Sequence, residues 1–495
     1  MATKKKQNLI QSFLLSTKQY PILIAIASGL YPLLYYFTRN FHFVNSIRHL
    51  AYFSFIFLLV PMVLFVVSNK ISELPRLYKW KKYVLPFLNF FFFLFFIMIC
   101  RYAGIDKKIT VLIFPIALIA SFFLYKYFKK IVIIQLILAV IGLFTFANTL
   151  INKPVYSSEW LQQPDDINEV VFKTKPNIYL IQPDGYVNFS ELKKGYYQLD
   201  NTDFEDYLET NGFTNYPDFR SNYSSTLSSN SALFAMKHHY YNGAVHPDEG
   251  LNAREVIVSG NTVLEVFKNN GYKTHLVLEA PYIMINKPAI GFDESNIKQN
   301  EIPYIGNGFA NKRDVIKDLK GYLELKEEKP SFFFIEYFKP GHINNSKSRS
   351  SGKEIEKQKW IESLQIANSK LIEIIDEIKK QDTNGIIIIL SDHGGYVGFD
   401  YSMQIYTKTI DRDLIFSIFG SNLSIYWPEN IKPKQNDKLK STVNVFRFLF
   451  SNLSNEERYL QNLEKDESYM VIFEGAPKGI YKYIDENKEV TFEKK

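Results

Sequence analysis

Ile386-Ile387-Ile388-Ile389-Leu390-Ser391-Asp392-His393-Gly394-Gly395 is the stretch on which the fold turns. Five consecutive apolar residues, four of them β-branched, predict a short strand buried on both faces, as in the middle of a parallel sheet. The run then stops in a polar turn. In open α/β sheets, ligands bind in the crevice beyond the carboxyl ends of the strands, so Asp392 and His393 are expected at the mouth of that crevice. An adjacent carboxylate and imidazole there suit a divalent metal, and the two glycines let the backbone come close. The same residues equally suit a strand-ending Asx turn with an incidental histidine.

Neighbouring segments repeat the pattern. Asn177-Ile178-Tyr179-Leu180-Ile181-Gln182 predicts a strand ending at Pro183-Asp184-Gly185-Tyr186, a second carboxylate at a strand tip, although Pro-Asp-Gly alone reads as a plain turn. Ser331 to Phe338 predicts a third buried strand, followed by Lys339-Pro340-Gly341-His342. Short amphipathic helices over 203–212 and 262–271 end in Asn-Gly, the second leading into a strand at Lys273 to Leu278, and a long helix spans about 354–381. This alternation predicts an α/β domain with a mainly parallel central sheet flanked by helices. Ser221-Asn222-Tyr223-Ser224-Ser225-Thr226 runs into the apolar stretch Ala232 to Met236. A hydroxyl-rich run is usually a loop or a helix N-cap, but a hydroxyl at a helix start also suits phosphoryl chemistry, because the free N–H groups there favour an anion.

The first third of the 495 residues differs in kind. Five apolar segments, at 21–38, 50–68, 84–100, 109–127 and 131–150, approach the ~20 residues that cross a bilayer, and they predict a five-helix transmembrane domain over residues 1–152. No small-residue cleavage site follows the first, so it is not read as a signal peptide. Residues 1–154 hold 18 Lys and Arg against Glu73 and Asp106, a charge of +16, which leaves −9 for the rest of a chain whose net charge is +7. The basicity therefore belongs to membrane loops and gives no case for nucleic acid. Lys4, Lys5, Lys6 and Lys18, then Lys70, Arg76, Lys79, Lys81 and Lys82, then Lys126, Lys129 and Lys130 mark alternate loops as cytoplasmic. Five crossings then place a linker at 153–175 and a domain at 176–495 on the periplasmic or extracellular side of the cell membrane. The single cysteine, Cys100, leaves that domain without disulfides or a thiol nucleophile.

Taken in order, Pro176 to Tyr186, Ser221 to Thr226, the strand ending at His342, Ser391-Asp392-His393-Gly394, Asn422 to Pro428 and Ser441 to Arg447 resemble the alkaline phosphatase and sulfatase superfamily. The resemblance is closest to its membrane-bound branch of lipoteichoic acid synthases, phosphoglycerol transferases and phosphoethanolamine transferases. It implies one divalent ion, manganese, zinc or magnesium, held by Asp184, Thr226, Asp392 and His393. Thr226 is then the nucleophile that takes a phospholipid head group and passes it to a cell-surface glycan or glycolipid, and His342 the substrate-side histidine that binds phosphate or protonates a leaving alkoxide; the alternative for His342 is a surface loop histidine.

The chain departs from the branch in places. Asp184 stands where lipoteichoic acid synthases carry Glu, no histidine follows His393 to serve a second metal, and His275 lies about three positions from where a second substrate histidine belongs. His238, His239 and His246 read as part of a tyrosine-rich surface loop. No Cys/Ser-x-Pro-x-Arg motif lies near Thr226, which argues against a sulfuric ester hydrolase. An exported phosphodiesterase or phosphatase, and a non-catalytic envelope binding protein, are the alternative readings.

Overall fold

Buried apolar runs become strands because both sheet faces are covered, and the computed structural model of the chain shows how. It describes residues 9–41, 46–151, 158–243, 252–309, 312–325, 327–433 and 436–495. His246 lies outside them. The chain divides into two units, residues 1–153 with 303–307 and residues 154–302 with 308–495.

In the first unit, four helical runs among the described residues are long and apolar enough to cross a membrane: Pro21–Arg39, Ile47–Ile71, Tyr78–Tyr102 and Lys107–Ile151. The last of these runs holds two helices, Lys107–Leu124 and Phe128–Ile151, joined by a 3₁₀ turn at Tyr125–Tyr127. The chain turns back there: Phe122 and Tyr125 lie against Tyr83, whereas Phe128 meets Phe90 and Gln135 meets Asn89, so the two helices lie side by side as separate segments. Asn89 and Gln135 bond each other through both amides at 2.9 and 3.0 Å inside this unit, satisfying two polar groups that lipid would leave unpaired.

The second unit is built on a seven-stranded sheet: β1 Ile178–Pro183, β2 Phe213–Asn215, β3 Lys273–Leu278, β4 Glu294–Ser295, β5 Ser331–Tyr337, β6 Ile386–Leu390 and β7 Leu423–Tyr426, in the order β2-β7-β6-β1-β5-β3-β4. The five strands from β6 to β4 run parallel, whereas β7 and β2 add antiparallel at one edge, so the sheet is mixed. A separate antiparallel sheet follows: β8 Ser468–Ile472, β9 Gly479–Ile484 and β10 Val490–Lys494.

Side chains alternate across the central strands, and each face has its own core. Leu180, Phe334, Ile388 and Leu390 pack with Leu233 and Phe234 of helix α1, Thr226–Ala235. Ile181, Ile335, Ile387 and Ile389 pack with Trp360, Leu364, Ile375 and Ile378 of helix α2, Lys353–Gln381. The segment read as a linker contributes Ile167, Val170 and Phe172 to the α1 face from residue 167 onward. Register places the functional tips: Ile181 pairs with Ile389, so three residues further on Asp184 and Asp392 lie level at the carboxyl ends of adjacent strands.

Candidate metal and catalytic site

Asp184 sits in a turn that only glycine can close. Gly185 has φ of +66°, and a Cβ there would lie 2.3 Å from the Gly341 carbonyl. That close approach, with Gly341 N–H donating to the Asp184 carbonyl at 2.8 Å, brings the loop carrying His342 against Asp184. On the neighbouring strand, fully buried Asp392 accepts at Oδ1 from the backbone N–H groups of His393 at 2.9 Å and Gly185 at 3.1 Å. These bonds fix the carboxylate and leave Oδ2 unused.

The imidazole of His393 completes the cluster. Its Nδ1 lies 2.8 Å from the Gly394 carbonyl, which can only accept, so Nδ1 carries the proton and Nε2 presents a lone pair. That lone pair faces Asp392 Oδ2 at 3.3 Å and Asp184 Oδ1 at 3.5 Å. Neither oxygen has a hydrogen-bond partner. One ligand atom from each of the three residues lies within 4.8 Å of the others. Three electron pairs aimed at one another, two on carboxylates, repel unless a cation lies among them, so this donor set fits a divalent ion. Burial first, and the Asp392 carboxylate second, raise the Asp184 carboxyl above the usual carboxylate range.

Thr226, half-buried, is the first residue of α1, after Ser225 as N-cap. One helical turn on, Asn230 exchanges two amide hydrogen bonds with Gln182, both 2.7 Å, two residues before Asp184. That pairing pins the start of α1 over the tip of β1. His342 is exposed, donates from Nδ1 to the Ile343 carbonyl at 2.8 Å, and so leaves Nε2 as an acceptor toward solvent. Tyr396 lies against both imidazoles, 5.1 Å from His342 and 5.0 Å from His393 between ring centroids.

Sequence reasoning passed over Glu336, a lone acid in an otherwise apolar strand. It is 1% exposed, shares a face with Gln182, and has neither oxygen hydrogen-bonded. Burial, then Asp392 and Asp184, raise its carboxyl well above the usual range. Glu279, at the tip of β3, is held by Lys312 at 2.7 Å and the Phe338 N–H at 2.7 Å. Three further described histidines of this unit fall elsewhere. His275 is buried in mid-strand, stacked on Phe333 at 4.3 Å. His238 and His239 are 7% and 5% exposed, so they belong to a packed cluster and not to a surface loop: four ring systems bury each other there.

Strand-tip carboxylates, an imidazole with its lone pair turned on them and a helix-start hydroxyl on a largely parallel sheet define a sulfatase-like enzyme of the alkaline phosphatase and sulfatase superfamily. The chain belongs to the sulfatase family: the family model described as "Sulfatase" matches residues 192–453, which include Thr226, His342, Asp392 and His393. No curated protein sequence matches the chain. Among solved structures, the C-terminal periplasmic domain of EcEptC from Escherichia coli is similar, with 13% identity over 65% of this chain and 97% of that one and a TM-score of 0.43. The integral membrane protein lipooligosaccharide phosphoethanolamine transferase A from Neisseria meningitidis matches with 12% identity over 87% of this chain and 95% of that one, with a TM-score of 0.39.

Proposed function

We propose that this enzyme moves a phospholipid head group, of the phosphoglycerol or phosphoethanolamine type, to a cell-surface glycan or glycolipid through a covalent phospho-threonine at Thr226. The observation that carries the reading is the unspent lone-pair cluster of Asp184, Asp392 and His393, beside a helix that begins with a hydroxyl. These residues, with Thr226, would hold one divalent ion, manganese, zinc or magnesium. Such an ion neutralises charge on phosphoryl oxygens and activates the hydroxyl.

The chain's own groups divide the remaining work. Thr226 Oγ attacks phosphorus, its proton passing to solvent, and the bond from phosphorus to the diacylglycerol oxygen breaks. His342, once protonated from solvent at Nε2, gives that proton to the leaving oxygen; the neutral ring then takes one from the acceptor hydroxyl when that attacks phosphorus, and Thr226 leaves and regains its proton from solvent. The N-terminus of α1 directs backbone N–H groups at the anion. The apolar helices support a donor drawn from the membrane lipids. If water replaces the acceptor, the same intermediate gives a phosphodiesterase.

The test uses the full chain in detergent with a phospholipid bearing a fluorescent tail, with and without manganese or zinc. Metal-dependent release of diacylglycerol that disappears in Thr226→Ala is the expected result. Cleavage of a generic phosphodiester without cleavage of any phospholipid moves the hydrolase ahead. Neither cleavage nor metal binding overturns the enzyme mechanism drawn here.

A further inference from the structure

Tyr396 adopts φ of +60°, in the left-handed region where a bulky non-glycine residue is strained. Its surroundings over-determine that conformation. A Cβ on Gly394 would lie 2.2 Å from the Ser417 carbonyl, and one on Gly395 2.1 Å from the Trp360 indole nitrogen, so the turn before it is pressed into its neighbours. Gly394 N–H donates to Ile418 at 2.8 Å, Gly395 N–H to the Tyr197 hydroxyl at 3.1 Å and Tyr396 N–H to Ser417 at 3.2 Å.

The strain delivers one buried side chain to three places. The ring lies nearly parallel to His393, at 19°, and to His342, at 18°, while those two imidazoles are 6.1 Å apart. The hydroxyl donates to the Ser224 carbonyl, two residues before Thr226.

We infer that Tyr396 is a positioning residue that fixes the Thr226 turn against His393 and His342, its ring aligning the imidazoles and its hydroxyl setting the distance to the nucleophile. This inference rests on the phosphotransfer reading of the site. The two halves of the side chain act separately, so they come apart by substitution. Removing the hydroxyl loosens Thr226 and spares Asp184, Asp392 and His393; removing the ring disturbs His393 as well.

The experiment measures zinc affinity by calorimetry and cleavage of bis(p-nitrophenyl) phosphate on the full chain in detergent. Tyr396→Phe is expected to lower kcat by about ten- to a hundredfold with zinc affinity within about threefold of wild type. Tyr396→Leu is expected to lose the same kcat and also about ten- to a hundredfold in zinc affinity. If Tyr396→Phe does not melt cooperatively, Tyr396→Trp, which keeps a flat ring over both imidazoles, is expected to show the same split. Wild-type kcat in Tyr396→Phe, or a lowered melting temperature as the only change in all variants, overturns the inference and leaves the phosphotransfer reading standing. A wild-type chain that neither binds zinc nor cleaves the diester sinks both.

Discussion

Two histidine and tyrosine clusters lie in the same domain, and they differ in how their nitrogens are spent. Around Tyr223, His239 stacks on the phenol at 4.1 Å, donates from Nε2 to the Ser228 carbonyl at 2.8 Å and accepts at Nδ1 from Tyr241 N–H at 2.8 Å. His238 donates from Nε2 to Lys465 at 2.7 Å and takes the Tyr223 hydroxyl at 3.3 Å. Nothing remains there for a ligand. Around Tyr396, His393 uses one nitrogen for shape and turns the other on two bare carboxylate oxygens. A ring stacked on tyrosine is thus a packing unit in both places; the unspent lone pair is what separates a reactive cluster from a scaffold.

The sharpest way to break this contrast is to remove the hydroxyl proposed as the nucleophile beside the reactive cluster. Thr226→Ala is expected to lower turnover of a phospholipid or model diester by roughly a thousandfold or more, with melting temperature nearly unchanged because the side chain is half-buried. Substitutions that leave activity within tenfold would move the nucleophile elsewhere. Next in size is Asp392→Asn, which keeps the acceptor for Gly185 and His393 N–H but removes the charge. Zinc or manganese affinity is expected to fall about a hundredfold, followed by calorimetry. In metal-stripped protein the same change is expected to raise stability by about 1 kcal/mol, because it lifts the repulsion that raises the Asp184 carboxyl. A variant that is less stable without metal would show that the carboxylates do not repel in the folded chain.

How much of this was legible in the sequence follows from where each signal resides. β6 and β5 announce themselves because both faces are buried and polarity changes abruptly at their tips, so Asp392 and His342 could be read directly. Asp184 joined Asp392 through strand register, which a repeated pattern of apolar run and acidic turn foreshadows. Tyr396 gave no signal: its three contacts come from residues 224, 342 and 393, and no local pattern encodes them. Glu336 was hidden by its strand, where one acid among aromatics reads as an outward side chain until both faces prove covered. The antiparallel edge was equally silent, since Leu423–Tyr426 is apolar in either direction of pairing. In the membrane unit, hydropathy counted the apolar segments, and Lys126, Lys129 and Lys130 marked the turn at Tyr125–Tyr127 between the last two.

The smallest predicted effect tests the scaffold half of the contrast. Burial lowers the His239 imidazole from 6.5 to about 4, because the neutral ring already has both hydrogen bonds and a proton on Nδ1 would face the Tyr241 N–H. The unfolded chain takes up that proton near 6.5 and the folded chain only near 4, so the contribution is complete above 6.5 and is lost as pH falls toward 4. Between pH 7.5 and 5 the loss from this residue is about 2 kcal/mol, read as a falling melting temperature. His239→Gln is expected to start less stable, since its amide cannot reach both partners, yet to lose less on acidification. An unchanged acid slope in that variant would mean that the ring is not held neutral, and the distinction between spent and unspent histidines would then rest on the metal site alone.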